Sequence, residues 1–309
     1  MDTDITLHGI IPPLVTPLFN DNELDEEGLE KLINKLLKAG VHGIFLLGTT
    51  GEGTSLNYKL REKFIRLACS IINNKVPVMV CITDTSFTGS LEIAHICKDA
   101  RADSLVVAPP YYFPIAEVEM QHYLDDLAVE LPLPFLLYNM PSHTKLHMSV
   151  DTVKHAKDLG AIGIKDSSGD MFYMIELINS LKKSGNFSII TGTEIFIPET
   201  IFQGGDGAIA GGANMFPQLF VEYYKASVEK DFTKIDLLRQ IVVEIYKTIY
   251  NVGNFSSRYT VSTKCALAAM GVCNDYVAHP LRQFDKPEKE VVYEYVDIIR
   301  GMISEYENR

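Results

Sequence analysis

The chain has 309 residues, 47% hydrophobic and 22% charged, a balance that excludes a disordered polypeptide and supplies enough apolar side chains for a large core. A formal charge of −12 argues against nucleic acid or an anionic membrane surface as a partner, because both need clustered Lys and Arg. No apolar run reaches the ~18 residues of a membrane-spanning helix, and the start MDTDITLHG lacks the basic and apolar regions of a signal peptide, so a cytoplasmic protein is expected. The five cysteines, Cys69, Cys81, Cys97, Cys265 and Cys273, have no CxxC spacing and predict buried free thiols, with neither a disulfide framework nor a zinc site.

Short apolar runs alternate with amphipathic stretches along the chain. The runs Gly9–Leu14, Gly43–Leu47, Val76–Ile82, Ser104–Ala108, Pro134–Tyr138, Ala161–Lys165, Phe187–Thr191 and Gly207–Gly211 read as strands too apolar to be half-solvated. Helical spacing separates them, as in Leu29, Leu32, Ile33, Leu36 and Leu37, or Met174, Ile175, Leu177, Ile178 and Leu181. Alternation of this kind implies right-handed βαβ units and a parallel sheet, and eight such units fit a (β/α)8 TIM barrel; a doubly wound open sheet is the competing α/β architecture. After Gly212 only helices are predicted, over Pro217–Glu229, Phe232–Tyr250, Thr260–Met270 and Pro287–Tyr306. The expected organisation is a barrel over 1–230 and a C-terminal helical extension over 231–309 packed against it, since no flexible linker separates them.

In a parallel barrel the C-terminal ends of the strands converge on one mouth. Strand two runs into Gly48-Thr49-Thr50-Gly51-Glu52-Gly53, strand four into Pro109-Pro110-Tyr111-Tyr112, strand five into Tyr138-Asn139-Met140-Pro141, and strand six into Gly163-Ile164-Lys165-Asp166. Lys165 is delivered into the mouth by an apolar strand, where burial disfavours the charged amine. A neutral amine can attack a carbonyl and, as an imine, act as an electron sink for the neighbouring carbon–carbon bond. Position alone leaves open a lysine that snorkels to solvent. Tyr138, on the adjacent strand, is placed to carry protons, although tyrosines also cap strands as packing residues. The glycine-flanked hydroxyls Thr49 and Thr50 suit a carboxylate held by amides and hydroxyls, or else form only a tight turn.

GTTGE at Gly48–Glu52, PPYY at Pro109–Tyr112, YNMP at Tyr138–Pro141 and GIKDSSGD at Gly163–Asp170 occur in the order of the dihydrodipicolinate synthase and N-acetylneuraminate lyase family, which the chain resembles from GIIPPLVTPL to the helical tail. The resemblance implies a Schiff-base aldolase acting on pyruvate and an aldehyde or 2-oxo acid, without cofactor or metal. It implies that Lys165 forms the imine, Tyr138 moves protons, and Thr49 and Thr50 hold the pyruvate carboxylate, with Gly51 and Ile209 completing that subsite. Tyr112 resembles a tyrosine lent across a subunit interface, and a homotetramer built as a dimer of dimers is implied.

The aldehyde is the open point. Synthases acting on aspartate semialdehyde usually have Arg after YNxPS, where this chain has His143, a poor substitute for a bidentate guanidinium. Against the neuraminate lyases, Glu194 matches an acidic sugar-binding residue, but Thr193 stands where Asp is usual and Gly211 where Ser is usual. Ser167, Ser168 and Glu194 are expected to face a polyhydroxylated chain, which favours reversible cleavage of a 2-keto-3-deoxy sugar acid; the bland alternative is that they cap helices. The Gly204–Gly207 and Gly211–Gly212 stretches lack nearby basic residues and are read as sites of close backbone packing, not phosphate binding. A pyridoxal-phosphate barrel and a non-catalytic small-molecule-binding paralogue remain as alternatives.

Overall fold

The computed structural model describes residues 6–182 and 186–308. The expected domain spans 1–230 and 231–309 also contain 1–5, 183–185 and 309, which lie outside the described residues. The strands are β1 (Gly9–Ile10), β2 (Leu18–Asn20), β3 (Glu23–Leu24), β4 (Ile44–Leu46), β5 (Val78–Cys81), β6 (Ser104–Val107), β7 (Phe135–Asn139), β8 (Gly163–Asp166), β9 (Ser188–Thr191) and β10 (Gly207–Ala208). The helices are α1 (Glu26–Lys38), α2 (Tyr58–Ile72), α3 (Phe87–Asp99), α4 (Glu117–Ala128), α5 (Pro141–Thr144), α6 (Val150–Asp158), α7 (Met171–Leu181), α8 (Ile197–Phe202), α9 (Pro217–Glu229), α10 (Phe232–Lys247), α11 (Arg258–Ala269) and α12 (Lys286–Glu307).

Eight parallel strands form one sheet in the order β1-β10-β9-β8-β7-β6-β5-β4. Its two ends are joined by backbone bonds: Leu14 N–H donates to Phe45 O at 2.8 Å, Phe45 N–H to Pro12 O at 3.0 Å, and His42 N–H to Ile10 O at 2.8 Å. Strand β1 is shorter than the expected Gly9–Leu14 because Pro12 and Pro13 have no N–H for a continuous ladder. The two-stranded hairpin β2–β3, α5 and α8 went unread in the sequence, each being too short to show a periodicity.

The two-residue period of a strand sorts the side chains into two layers. Phe45, Met79, Val106, Leu136 and Ile190 pack inside the ring, whereas Ile44, Leu46, Val78, Val80, Leu105, Leu137 and Ile164 meet the surrounding helices. Both faces are therefore buried, which is why these strands read as continuous apolar runs. The crowding has a visible cost at β10, where a Cβ on Gly207 would fall 2.1 Å from Gly9 O; the close packing expected of this glycine is what the backbone requires.

Helix α9 packs on β1 and on α10, and α12 packs on both α10 and α11. Among the described residues, no helix is long and apolar enough to cross a membrane. All five cysteines are free; Cys81 is half-buried and the other four are buried.

Candidate active site

The period that places Phe45 and Leu136 inside the ring also places Tyr138 and Lys165 there, at the C-terminal ends of β7 and β8. The two residues are register partners across the β7–β8 ladder, and Lys165 faces Ile190 on β9. Both are buried, Lys165 at 5% and Tyr138 at 4% exposure. Lys165 Nζ lies 4.0 Å from the centroid of the Tyr138 ring and 5.1 Å from that of Phe45. The long apolar stem thus carries one amine into a cup walled by aromatic rings, away from bulk water.

Tyr138 Oη reaches the second motif: it shares a hydrogen bond of 3.2 Å with Thr49 Oγ1. The loop carrying Thr49 is tightly folded. Gly51 N–H donates to Gly48 O at 3.0 Å and Glu52 N–H to Thr49 O at 3.1 Å, while Thr16 Oγ1 donates to Gly51 O at 2.7 Å. Leu47 and Glu52 both have φ of +57°, a left-handed backbone that non-glycine residues adopt at an energetic cost and that clusters at ligand sites. A Cβ on Gly51 would fall 2.7 Å from Leu14 O, so glycine is required there. Among the described residues, no protein acceptor takes the Thr49 or Thr50 N–H. Adjacent unpaired amides with two hydroxyls are groups that can seat an anion without a positive side chain.

The other sequence-singled residues fall into two groups. Ser167 lies near the Lys165 side chain: a Cβ on Gly192 would meet Ser167 Oγ at 1.9 Å and Lys165 Cε at 3.1 Å. Ile209 packs in the interior with Tyr138. His143 sits in the short helix α5, exposed, with Ser142 Oγ 2.9 Å from its Nδ1. Loss of surrounding solvent, then the charges of Lys145 and Lys165, hold its pKa below the usual histidine value, so the ring is neutral at pH 7 and within the field of the amine.

Ser168 and Glu194 depart from the expected picture, and Tyr112 stands apart from this chain's own Lys165 cup. Tyr112 is 86% exposed with φ of +84°, and its ring contacts that of the equally outlying Phe113 instead of the Lys165 cup. Ser168 turns outward: its Oγ donates to Asp166 Oδ2 at 2.8 Å and accepts from Asp170 N–H at 3.2 Å. Glu194 is wholly buried and does not face open solvent in the mouth. Gly212 N–H donates to its Oε1 at 2.5 Å, and the hydroxyls of Tyr259 and Tyr250 donate at 3.3 and 3.4 Å. Burial pushes its pKa up to about 7 despite those bonds. The expectation failed because β9 gives way to a 3-10 turn at Glu194–Phe196, where the strand's alternation no longer aims side chains.

Two features escaped the sequence reading. Gly192 leaves Lys165 and Ser167 their space, and its place at the end of β9 was the available signal. Asn139 and Asp166, also register partners, face the helix layer, where Asn139 Nδ2 donates to Asp166 Oδ1 at 2.8 Å. This bond clips β7 to β8 one residue beyond the Tyr138 and Lys165 pair. Burial raises the Asp166 carboxyl, with the bonds from Asn139 and Ser168 opposing.

An eight-stranded parallel α/β fold that brings a buried lysine, a phenol and two unpaired amides together at its strand ends is an arrangement suited to lyase chemistry on a carbonyl substrate. The chain belongs to the dihydrodipicolinate synthetase family, whose model matches residues 6–299. It is 33% identical over 240 residues, 77% of this chain and 80% of the relative, to the Escherichia coli protein named "Putative 2-dehydro-3-deoxy-D-gluconate aldolase YagE". Among solved structures it is similar to dihydrodipicolinate synthase from Bacteroides thetaiotaomicron, with a TM-score of 0.92, 42% identity and coverage of 96% of this chain and 99% of that one. It is also similar to YagE from Escherichia coli in complex with pyruvate, with a TM-score of 0.89, 30% identity and coverage of 95% and 99%. The enzyme class is accordingly that of the pyruvate aldolases, carbon–carbon lyases of the Schiff-base type.

Proposed function

We propose that Lys165 forms an imine with the keto carbon of pyruvate and that the chain catalyses reversible cleavage of a 2-keto-3-deoxy sugar acid to pyruvate and an aldehyde. The supporting observation is the continuous arrangement Thr49, Tyr138, Lys165: an amine against a phenol ring whose hydroxyl meets the anion seat. In the cleavage direction the amine displaces water from the keto carbon. The C3–C4 bond then breaks, its electron pair moving into the protonated imine while the C4 hydroxyl proton leaves and the aldehyde forms. The resulting enamine takes a proton at C3, and water releases pyruvate. Tyr138 carries these protons between substrate oxygen, amine and water. The Thr49 and Thr50 amides and hydroxyls, with Gly51, hold the carboxylate, and Ile209 forms the apolar floor.

The acceptor assignment draws support from His143. A neutral ring at the rim offers no bidentate partner to a second carboxylate but can donate to or accept from a hydroxyl. Ser167 supplies a second hydroxyl-directed group. Glu194 acts from behind, by fixing Gly212 and the tail tyrosines. The likeness to the Bacteroides thetaiotaomicron structure favours a second reading, condensation of pyruvate with aspartate semialdehyde. A neuraminate lyase is disfavoured, because the Tyr259 hydroxyl fills the space at Gly211, leaving no room for a side chain there.

The proposed catalytic unit is a (β/α)8 barrel over 1–230 with 231–309 as its helical extension. The proposed assembly is a cytoplasmic homotetramer, a dimer of dimers in which exposed Tyr112 completes a neighbour's site; its exposure beside Phe113 suits a partner-facing role. A panel of 2-oxo acids assayed for pyruvate release tests the substrate. Preferential release from 2-keto-3-deoxy sugar acids is expected, whereas turnover confined to pyruvate with aspartate semialdehyde would establish the second reading.

A further inference from the structure

The anion seat is fastened from outside the barrel. Glu52 closes the turn that begins at Thr49, donating its N–H to Thr49 O at 3.1 Å. Its side chain runs into the protein, where the carboxylate forms an ion pair with Lys264 of α11, both side chains being fully buried. Oε2 of Glu52 also accepts from Ala278 N–H at 2.7 Å, and Lys264 Nζ donates to Tyr276 O at 2.6 Å. One buried pair therefore ties together the Gly48–Gly53 loop, α11 and the Tyr276–Ala278 segment.

Such a pair adds little stability over a well-packed apolar one, since both charges lose their hydration; removing one partner, in contrast, strands the other charge away from water. The consequence is geometric. Lys264 and Ala278 are the groups given to the Glu52 carboxylate, so the turn bearing Thr49 and Thr50 is held where they are. The left-handed backbone at Glu52 is kept by the same contacts, because a strained conformation persists only where its surroundings over-determine it.

We infer that Glu52 and Lys264 are positioning residues that set the Thr49 and Thr50 donors against the substrate carboxylate, making the segment after the barrel part of the pyruvate-binding apparatus. This rests on the reading of that loop as the carboxylate seat. Neither residue touches substrate; both act through the turn.

The test is borohydride trapping of pyruvate on the full-length protein, read by mass as a function of pyruvate concentration. Lys264→Met should raise the half-saturating pyruvate concentration about tenfold and leave trapping at saturation within about twofold of wild type, a coupling of the size found between contacting residues. Adding Glu52→Gln should raise the half-saturation little further, because both changes break the same tie. A purely packing role for Lys264 would make the two changes additive, and that result overturns the inference, as does an unchanged half-saturation in Lys264→Met. If Lys264→Met does not fold, Glu52→Gln alone is read: a rise of several-fold is expected, and wild-type half-saturation overturns the inference. A wild-type protein that pyruvate does not label at Lys165 overturns the carboxylate-seat reading itself, and is thereby distinguishable from failure of the positioning pair.

Discussion

Tyr138 and Lys165 face each other across the β7–β8 ladder, with the amine 4.0 Å from the centroid of the phenol ring. The pairing follows from strand periodicity, because both side chains take the inward face that Leu136 takes one step earlier. Replacing the lysine removes the proposed nucleophile and leaves the wall intact. Lys165→Met should fold normally and have no measurable pyruvate release; residual turnover near the wild-type rate would show that another group carries the chemistry.

Tyr138→Phe keeps the ring beneath the amine and removes the hydroxyl bonded to Thr49. Turnover should fall by about 10²–10⁴-fold, the range for losing a positioned proton carrier, with the protein still labelled slowly by pyruvate and borohydride. Steady-state kinetics with a full wild-type rate would refute the role of the phenol.

Gly192→Ala would place a methyl 1.9 Å from Ser167 Oγ and 3.1 Å from Lys165 Cε. The side chains must shift, at a cost of about 1–3 kcal/mol for an overpacked site. The expected outcome is a kcat reduced at least about tenfold, since small misplacements of reacting groups are expensive, together with a modest loss in denaturant midpoint. An unimpaired enzyme would mean that Lys165 does not need the space that glycine leaves.

His143→Arg supplies a planar cation at the rim. It should improve kcat/KM for aldehydes bearing a carboxylate by about tenfold, in line with a charge-assisted bidentate pair. An unchanged preference across the acceptor panel would place residue 143 away from the acceptor.

Glu194 gives a prediction in pH. Its carboxyl is pushed up to about 7 by burial, from an ordinary value of 4.5, so between these values the folded chain binds the proton and the unfolded chain releases it. The contribution is fully present below about pH 4.5 and is lost as pH rises through about 7, on the order of 3 kcal/mol in all. Thermal unfolding measured from pH 4.5 to 8 should show Glu194→Gln losing less stability than wild type across that window; parallel curves would contradict the assignment.

How far the sequence could be read depended on how local each feature was. The strands were legible because burial on both faces makes them apolar throughout. The meeting of Thr49, Tyr138 and Lys165 was legible because strand ends followed by polar motifs converge on one end of a parallel sheet that closes on itself. The short hairpin β2–β3 gave no comparable signal, and β1 was read in its place but too long, because Pro12 and Pro13 cut its ladder short of Leu14. Glu194 misled, because its partners Gly212, Tyr250 and Tyr259 lie well beyond it in the chain. Contacts such as Ala278 N–H to Glu52, 226 positions apart, leave no trace in spacing or periodicity.

The central claim concerns one amine, and mass spectrometry of the protein after incubation with pyruvate and borohydride tests it most directly. A reduced pyruvyl adduct on the peptide containing Lys165, with parallel loss of activity, is the expected result. An unmodified Lys165, or an adduct confined to another lysine, would contradict the account.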